Sequence, residues 1–369
     1  MNIVEAVRSY EHWLREQMRR EQMPVSKRDL RLKHRRMTAD PFSFLRGTYF
    51  RWLEIWPEVC PELADAPRLL AVGDLHVENF GTWRDSEGRL VWGVNDVDET
   101  APGTYTLDLV RLATSALLAY RQGHLTIAPK SACKAILKGY GAGLHGVGPF
   151  VLEEGAGPLR IMALSAEREP DRFWAKLDAL RTIAAPSEIR KLLACHMPQP
   201  VKNFRIVARV SGVGSLGRPR YTAIADQAVA HVAREAKAIV PPAVCWRDTD
   251  GAGRHAHRSN RIRDYREQLL AAAIRCPDPT LVFVDGWQIR RLGPHCARID
   301  LAMLPRRRDE RTLLTAMGFE TANLHFASRS AIAAIRRDLA ARPKGWLFDG
   351  AERMAKALLS DWKDWKRRG

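Results

Sequence analysis

Apolar residues recur at helical spacing at the start of the chain. Val4, Val7, Tyr10 and Leu14 fall near one face of residues 3–22, with Arg15, Arg19 and Arg20 mostly elsewhere, and this predicts an amphipathic helix. The next stretch, bracketed by Pro24 and Pro41, is dominated by Lys27, Arg28, Arg31, Lys33, Arg35 and Arg36. It reads either as a solvated helix face or connector, or as an electrostatic arm for phosphate. Residues 68–72 predict a short buried strand running into a loop at Gly73. Residues 89–95 predict a second strand, after a turn at Asp85 to Gly88. Helical spacing returns from Leu107 to Tyr120, across 130–142 and across 186–195.

The texture changes near residue 200. Phe204, Ile206, Ala208 and Val210 alternate with Arg205, Val207 and Arg209, which predicts a strand. A glycine-rich turn follows, then a second strand from Arg220 to Ala225. Residues 247–260 are polar and rich in His, Arg and Gly, and read as a mobile loop. Residues 261–274 read as a helix. Leu281 to Val284 and Trp287 to Leu292, split by Asp285 and Gly286, read as a hairpin. The remainder, 309–369, is helical in pattern with a break near Pro343, and neither repeats nor low-complexity tracts occur.

Composition narrows the class. At roughly 150 residues per domain, 369 residues allow two or three domains or one two-lobed unit. A hydrophobic fraction of 46% excludes wholesale disorder. Lys plus Arg minus Asp plus Glu is 59 − 42 = +17, which suggests an anionic partner: a nucleotide, a nucleic acid or an acidic surface. No apolar run approaches the roughly 18 residues of a membrane span; the longest candidate, Ala113 to Tyr120, is interrupted by Thr114 and Ser115. Glu5, Arg8, Glu11 and Arg15 make the first turns unlike a signal peptide. The six cysteines are scattered without a CxxC pair, so zinc-ribbon and thioredoxin readings fail. Reduced thiols in a cytoplasmic protein are expected.

The most informative stretch is 73–99, GDLHVENFGTWRDSEGRLVWGVNDVDE. Asp74 and Asn79 lie five residues apart in one loop, and Asp96 and Asp98 follow a hairpin-like pair of strands. Acidic residues at the ends of short buried strands are costly unless they bind something positive. Mg²⁺ suits them, because it takes carboxylate and amide oxygens and leaves other positions to water and phosphate. A capped turn would also use Asp and Asn, bonded to nearby amides. Phosphoryl transfer needs a carboxylate that orients or deprotonates the attacking hydroxyl, and an Asn and an Asp that hold metal. Asp74, Asn79 and Asp96 reproduce the order and spacing of those parts in kinases. His76 either orients the loop or is simply structural.

GDLHVENF followed by VNDVDE resembles the catalytic and metal loops of the aminoglycoside phosphotransferase and choline kinase branch of the kinase-like fold. The longer run from PFSFLRGTYF at 41–50 through GDLHVENFG, NDVDET and LDLVRLATS resembles the bacterial domain-of-unknown-function family numbered 2252. The resemblance implies Asp74 as catalytic base, Asn79 and Asp96 as metal ligands, and Asp98 as a ligand of a second metal or a support behind the ligands. It implies a structural role for Asp108 and none for Arg46 and Gly47.

Residues 210–217, VSGVGSLG, place Gly212, Gly214 and Gly217 in a GxGxxG pattern. A Rossmann loop would open a helix, but here the β-like YTAIA follows. Strand, glycine loop, strand is the arrangement of a kinase-type phosphate cover, with Ser215 as a further donor; an ordinary glycine-rich hairpin has the same pattern. A phosphate-binding cation is then expected on the next strand, where VAREAK offers Arg234 and Lys237. The resembling family has Lys-Glu-Ala here, which implies Arg234 in the place of the Lys. Glu267, on the predicted 261–274 helix, is a candidate partner for either.

Gly212 follows Asp74 by 212 − 74 = 138 residues, the reverse of the kinase order. LGPHCARIDL resembles an adenine-holding hinge, and MGFETANLHFAS the helix that feeds the catalytic loop. The expected fold is therefore α+β: a two-lobed, protein-kinase-like fold, circularly permuted. Residues 1–200 and 297–369 would form the mostly helical lobe, and 201–296 the small β-rich nucleotide lobe. The expected function is transfer of a phosphoryl group from ATP, with Mg²⁺, to a hydroxyl on a small molecule or protein. The alternatives are nucleotidyl transfer at the same site, a non-catalytic nucleotide-binding scaffold, and a nucleic-acid-binding protein whose affinity falls steeply with salt.

Overall fold

The apolar stripe at the start of the chain winds into α1 (Ile3–Arg20). A reciprocal cap closes its first turn: the Glu5 amide donates to Asn2 Oδ1 at 3.0 Å, and the Asn2 amide donates to the Glu5 carboxylate at 3.1 Å. The basic stretch becomes α2 (Lys27–Ala39). α3 (Pro41–Gly47), α4 (Tyr49–Val59) and the short α5 (Pro61–Ala64) follow. The structure is a computed structural model. It describes residues 1–153, 157–164, 169–199, 201, 203–227, 230–247, 259–296, 298, 301, 304 and 309–368. Most of the loop expected at 247–260 therefore lies outside the described residues, as do 297, 299 and 300 of the expected hinge.

Strands β1 (Arg68–Ala71), β2 (Phe80–Arg84), β3 (Leu90–Val94) and β4 (Ala101–Thr104) carry the chain through its acidic stretch. β1 pairs with β4 and β2 with β3, and β5 (Phe150–Val151) adds to β3, all antiparallel. Between β4 and β5 run α6 (Tyr105–Arg121) and α7 (Pro129–His145). After β5 come α8 (Gly157–Ala163), α9 (Pro170–Asp178) and α10 (Ser187–His196). The chain then builds β6 (Arg205–Ala208), β7 (Arg220–Gln227), β8 (Ala230–Ala238), α11 (Val244–Arg247), α12 (Ser259–Ala272), β9 (Val282–Val284) and β10 (Trp287–Leu292). These strands form an antiparallel sheet in the order β6-β7-β8-β10-β9. α13 (Glu310–His325), α14 (Ile332–Ala341) and α15 (Trp346–Arg368) close the chain. The protein is a mixed α+β structure, and the expected strand pairs and helices form.

Helices from both ends share one core around the almost wholly buried α6. α13 packs on α7 backbone to backbone. A Cβ at Gly139 would collide with the Thr315 carbonyl, and one at Gly318 with the Ile136 carbonyl. α15 packs on α6 and reaches the N-terminal helices: Trp362 Nε1 donates to the Met37 carbonyl at 3.1 Å, and Arg51 Nε meets Asp361 at 2.8 Å.

The five-stranded sheet has two unlike faces, because successive side chains alternate. Ile206, Ala223, Ala225, Ala236, Ala238 and Ile289 join the main core. On the opposite face Val207, Ile224, Ala233 and Leu292 pack under Phe173, Trp174 and Leu177 of α9. Farther along that second face the register sets Lys237 between Arg220 and Gln288, and Glu235 between Thr222 and Arg290. That polar half faces the acidic loops.

Candidate active site

After β1 the chain turns at Gly73, whose φ is +92°. A Cβ there would stand 2.5 Å from the Glu99 carbonyl and 2.9 Å from the Tyr49 hydroxyl. The turn is pinned from below. The amides of Val72 and Gly73 donate to the Asp108 carboxylate at 2.7 and 2.9 Å, and His325 Nε2 lies 3.0 Å from the same group. His325 Nδ1 is in turn 2.8 Å from the Tyr140 hydroxyl, and Asp108 and His325 are fully buried. Asp108 is thus a loop holder. His76 is another: its Nδ1 accepts the Glu78 amide at 3.2 Å, and burial, with Arg46 and Arg111 nearby, keeps the ring far below its ordinary pKa and neutral.

Asp74 reaches the cleft with one oxygen engaged. Arg111, fully buried on α6, holds Oδ1 through Nε at 2.7 Å and through Nη2, which also donates to the Leu45 carbonyl at 2.9 Å. Its guanidinium lies over the rings of Tyr49 and Trp52. Burial pushes the Asp74 carboxyl above its ordinary range, against the pull of Arg111 and Arg46. The side-chain nitrogen of Asn79 donates to the carbonyls of Asp74 at 2.8 Å and Asp96 at 3.4 Å. Both bonds use the nitrogen, which leaves Oδ1 open as an acceptor among the described residues.

The two acidic residues after β3 differ. Asp96 is half exposed, accepts the Asp98 amide at 3.2 Å, and has Lys237 Nζ at 3.5 Å. Asp98 is buried: Lys237 Nζ lies 2.8 Å and Arg218 Nη1 3.2 Å from its carboxylate, and Arg266 Nε donates to its carbonyl at 2.9 Å. Burial works to raise the Asp98 carboxyl, but Lys237, Arg218 and Arg266 outweigh it and hold it below the usual carboxylate range. Of the two roles expected for Asp98, ligand of a second metal or support behind the ligands, its pairing with Lys237 and Arg218 favours the second. Asn79 Oδ1 and the Asp96 carboxylate remain as the hard-oxygen pair, a donor set that suits Mg²⁺. Among the described residues no cluster of three or more His, Cys, Asp or Glu could hold a metal ion.

The glycine loop joins β6 to β7 and lies directly on these residues. Gly212 and Gly217 take φ of +71° and +102°, open to glycine at little cost. A Cβ on Gly214 would stand 3.2 Å from the Arg46 carbonyl and 3.8 Å from Asp74 Oδ2. Ser215, expected as a further phosphate donor, has its hydroxyl 3.3 Å from the Ser211 carbonyl and accepts from Arg220 Nη2 at 2.9 Å, contacts that hold the loop's own shape.

Strand alternation decides between the two candidate cations. Lys237 shares the cleft face with Glu235, whereas Arg234 points to the other face. There its Nε donates to the His196 carbonyl at 3.0 Å, at the C-terminal end of α10. The assignment of Arg234 to phosphate is therefore corrected. Glu267 is exposed, and its buried neighbour Arg266 makes the contact with the acidic loop.

Asp74, Asn79, Asp96, Asp98, Lys237, Gly212, Gly214 and Ser215 all line one cleft; Arg234 and Gly217 are not among its lining residues. The cleft's volume is about 180 Å³, roughly a dozen waters' worth. Leu292, Cys296 and Phe173 also line it, as do Tyr10, Lys33, Tyr49, Glu99 and Arg218, none of which the sequence pattern singles out as a site residue. Arg111 had one visible signal, an arginine inside the apolar run LDLVRLATS. Lys33 had none that separated it from its basic neighbours.

Residues 25–153 match the model of a family described as "Uncharacterized protein conserved in bacteria (DUF2252)". No curated protein and no solved structure matches the chain. The matched stretch runs from α2 to the end of α7 and β5, and so contains Asp74, Asn79, Asp96 and Asp98 but neither the glycine loop nor Lys237.

Proposed function

We propose that the protein is an ATP- and Mg²⁺-dependent phosphotransferase of kinase-like, two-lobed and circularly permuted architecture, acting on a hydroxyl-bearing acceptor. One observation carries this reading. Gly214 packs against Asp74 across 214 − 74 = 140 residues of sequence, while Lys237, on β8, the second strand after the glycine loop, pairs with Asp98 beside Asp96. A binding surface for nucleic acid would account for the charge of +17 but not for this convergence.

Each residue then has a task. Main-chain amides of the glycine loop cover the phosphates, and Lys237, steadied by Asp98, neutralises their charge. Asn79 Oδ1 and Asp96 would hold Mg²⁺, which supplies further neutralisation of the triphosphate. Arg111 fixes Asp74 by one oxygen and leaves Oδ2 to orient the acceptor hydroxyl and take its proton. The raised Asp74 pKa suits a proton acceptor.

The test is a thermal shift with ATP and Mg²⁺ on the wild type and on Asp96→Ala. Metal-dependent stabilisation of the wild type that the variant lacks is expected; equal shifts in both would remove the metal assignment. Product analysis separates the chemistries, since ADP marks phosphoryl transfer and pyrophosphate marks nucleotidyl transfer. ATP binding without any turnover that depends on Asp74 would mark a non-catalytic scaffold.

A further inference from the structure

The buried face of α2 reads Leu30, Lys33, Met37, one position per turn. Lys33 thus places an ammonium where the helix otherwise buries apolar side chains. It is 5% exposed and lines the cleft beside Asp74. Its contacts among the described residues are meagre: the Gly214 carbonyl at 3.5 Å, and the face of the Tyr10 ring with its centroid at 5.7 Å. No described carboxylate lies within ion-pair distance of it; Glu11, Glu99 and Asp74 attract it only from farther off. A buried cation that no carboxylate pairs directly is costly, and nothing in the packing of α2 requires one there. Burial, with Arg218 nearby, lowers the pKa of Lys33 to about 8, which shows how poorly the charge is compensated.

A second group at the same end is under-satisfied. Arg46 pairs with Glu78 through Nη1, but its buried Nε has no partner. Arg46 also lines the cleft, and its own carbonyl is the atom against which Gly214 packs. Lys33 Nζ and the Arg46 main chain therefore both lie against Gly214, and the side chains of both residues line the cleft with spare donors. α2 holds that loop at a further point, where the Ser26 amide donates to the Gly217 carbonyl at 2.9 Å.

We infer that Lys33, with Arg46, holds an anionic oxygen group directly beside Asp74, and that α2 thereby ties closure of the glycine loop to the presence of that anion. The ligand is a phosphate-like or carboxylate-like group. It has two possible sources: the terminal phosphoryl group of the nucleotide, or an anionic substituent on the acceptor. The inference rests on the phosphotransferase reading for the nature of those sources, but not for the presence of the anion site.

Isothermal titration of wild type and Lys33→Met with MgATP, MgADP and inorganic phosphate tests it, with Lys33→Arg as the charge-keeping control. Methionine suits the apolar stripe, so the variant should melt at or above the wild-type temperature. A loss of about tenfold or more for MgATP with MgADP unchanged, partly restored in Lys33→Arg, assigns the terminal phosphoryl group. Unchanged nucleotide binding, with inorganic phosphate in the presence of MgADP bound by wild type and not by Lys33→Met, assigns an anionic acceptor. If folded wild type and Lys33→Met bind all three probes alike, the inference is overturned while the nucleotide reading stands. If wild type binds inorganic phosphate through Lys33 but binds no nucleotide, the anion site stands and the phosphotransferase reading falls.

Discussion

Loop 73–79 and the glycine loop 211–217 meet over Asp74, but they are held there by different means. The first hangs on buried side chains. Asp108 takes two of its amides, His325 and Tyr140 back Asp108, Ser115 takes the Val77 amide at 3.0 Å, and Arg111 grips Asp74 itself. The second is held by its own turn, by the buried side chains of Val213 and Leu216, by the Ser26 amide, and by Lys33 at 3.5 Å, the outer edge of a hydrogen bond. On the proposed reading the acidic loop is a fixed platform, and the glycine loop is a cover that lifts when ligand enters or leaves.

The contrast breaks first if the platform is not rigid. Asp108→Ala strands two buried amides and His325, and should cost about 3–5 kcal/mol of stability in urea unfolding. A loss below about 1 kcal/mol would mean that the loop is held by something else. Glu99 sits where platform and β-rich insert touch: it accepts the Ala243 amide at 2.6 Å and faces Arg218 at 3.7 Å. Burial, opposed by Arg218, raises its pKa from 4.5 to about 7. The fold therefore holds a proton that the unfolded chain has released. This contribution is fully present below about pH 4.5 and is lost as the pH climbs through about 7. Glu99→Gln should flatten that fall, a difference of ~2.5 kcal/mol between pH 5 and pH 8 in unfolding experiments. Parallel profiles for the two proteins would refute it.

The cover is tested more gently. Gly214→Val adds atoms against the Arg46 carbonyl and Asp74, and should lift the loop with little change in melting temperature. MgATP affinity should fall about tenfold, ~1.4 kcal/mol; unchanged affinity would show that the loop does not close on ligand. The smallest effect is expected at Arg234→Ala, which frees the C-terminal carbonyl of α10. It should cost about 1 kcal/mol of stability and leave MgATP binding as it was, whereas Lys237→Ala should abolish that binding. A loss of nucleotide affinity in Arg234→Ala would reverse the assignment made from strand alternation.

The sequence made the acidic loop legible because its residues act through short spacing: Asp74 and Asn79 share one loop, and Asp96 follows after a single hairpin. The strands and most helices were legible by periodicity. Three features were not. A resemblance matched Arg234 to a lysine, but Arg234 and Lys237 are three positions apart, and an odd spacing on a strand reverses the face; only pairing with β7 and β10 shows which face meets the cleft. Asp98 reads as a metal ligand until Arg218, Lys237 and Arg266, more than a hundred residues away in sequence, surround it. The basic run of α2 reads either as solvated or as an arm for phosphate, without separating its members. Lys27, Arg28, Arg31 and Arg35 are exposed; Lys33 differs because its side of the helix turns inward.

The clasp of α15 on the N-terminal helices has a consequence for cooperativity. Trp362 holds the end of α2, and Asp361 holds Arg51 on α4. These contacts join residues 325 and 310 positions apart in sequence. Fraying of α15 would therefore be passed through α2 to Lys33, a remote loosening felt at the cleft without any change in the acidic loop itself.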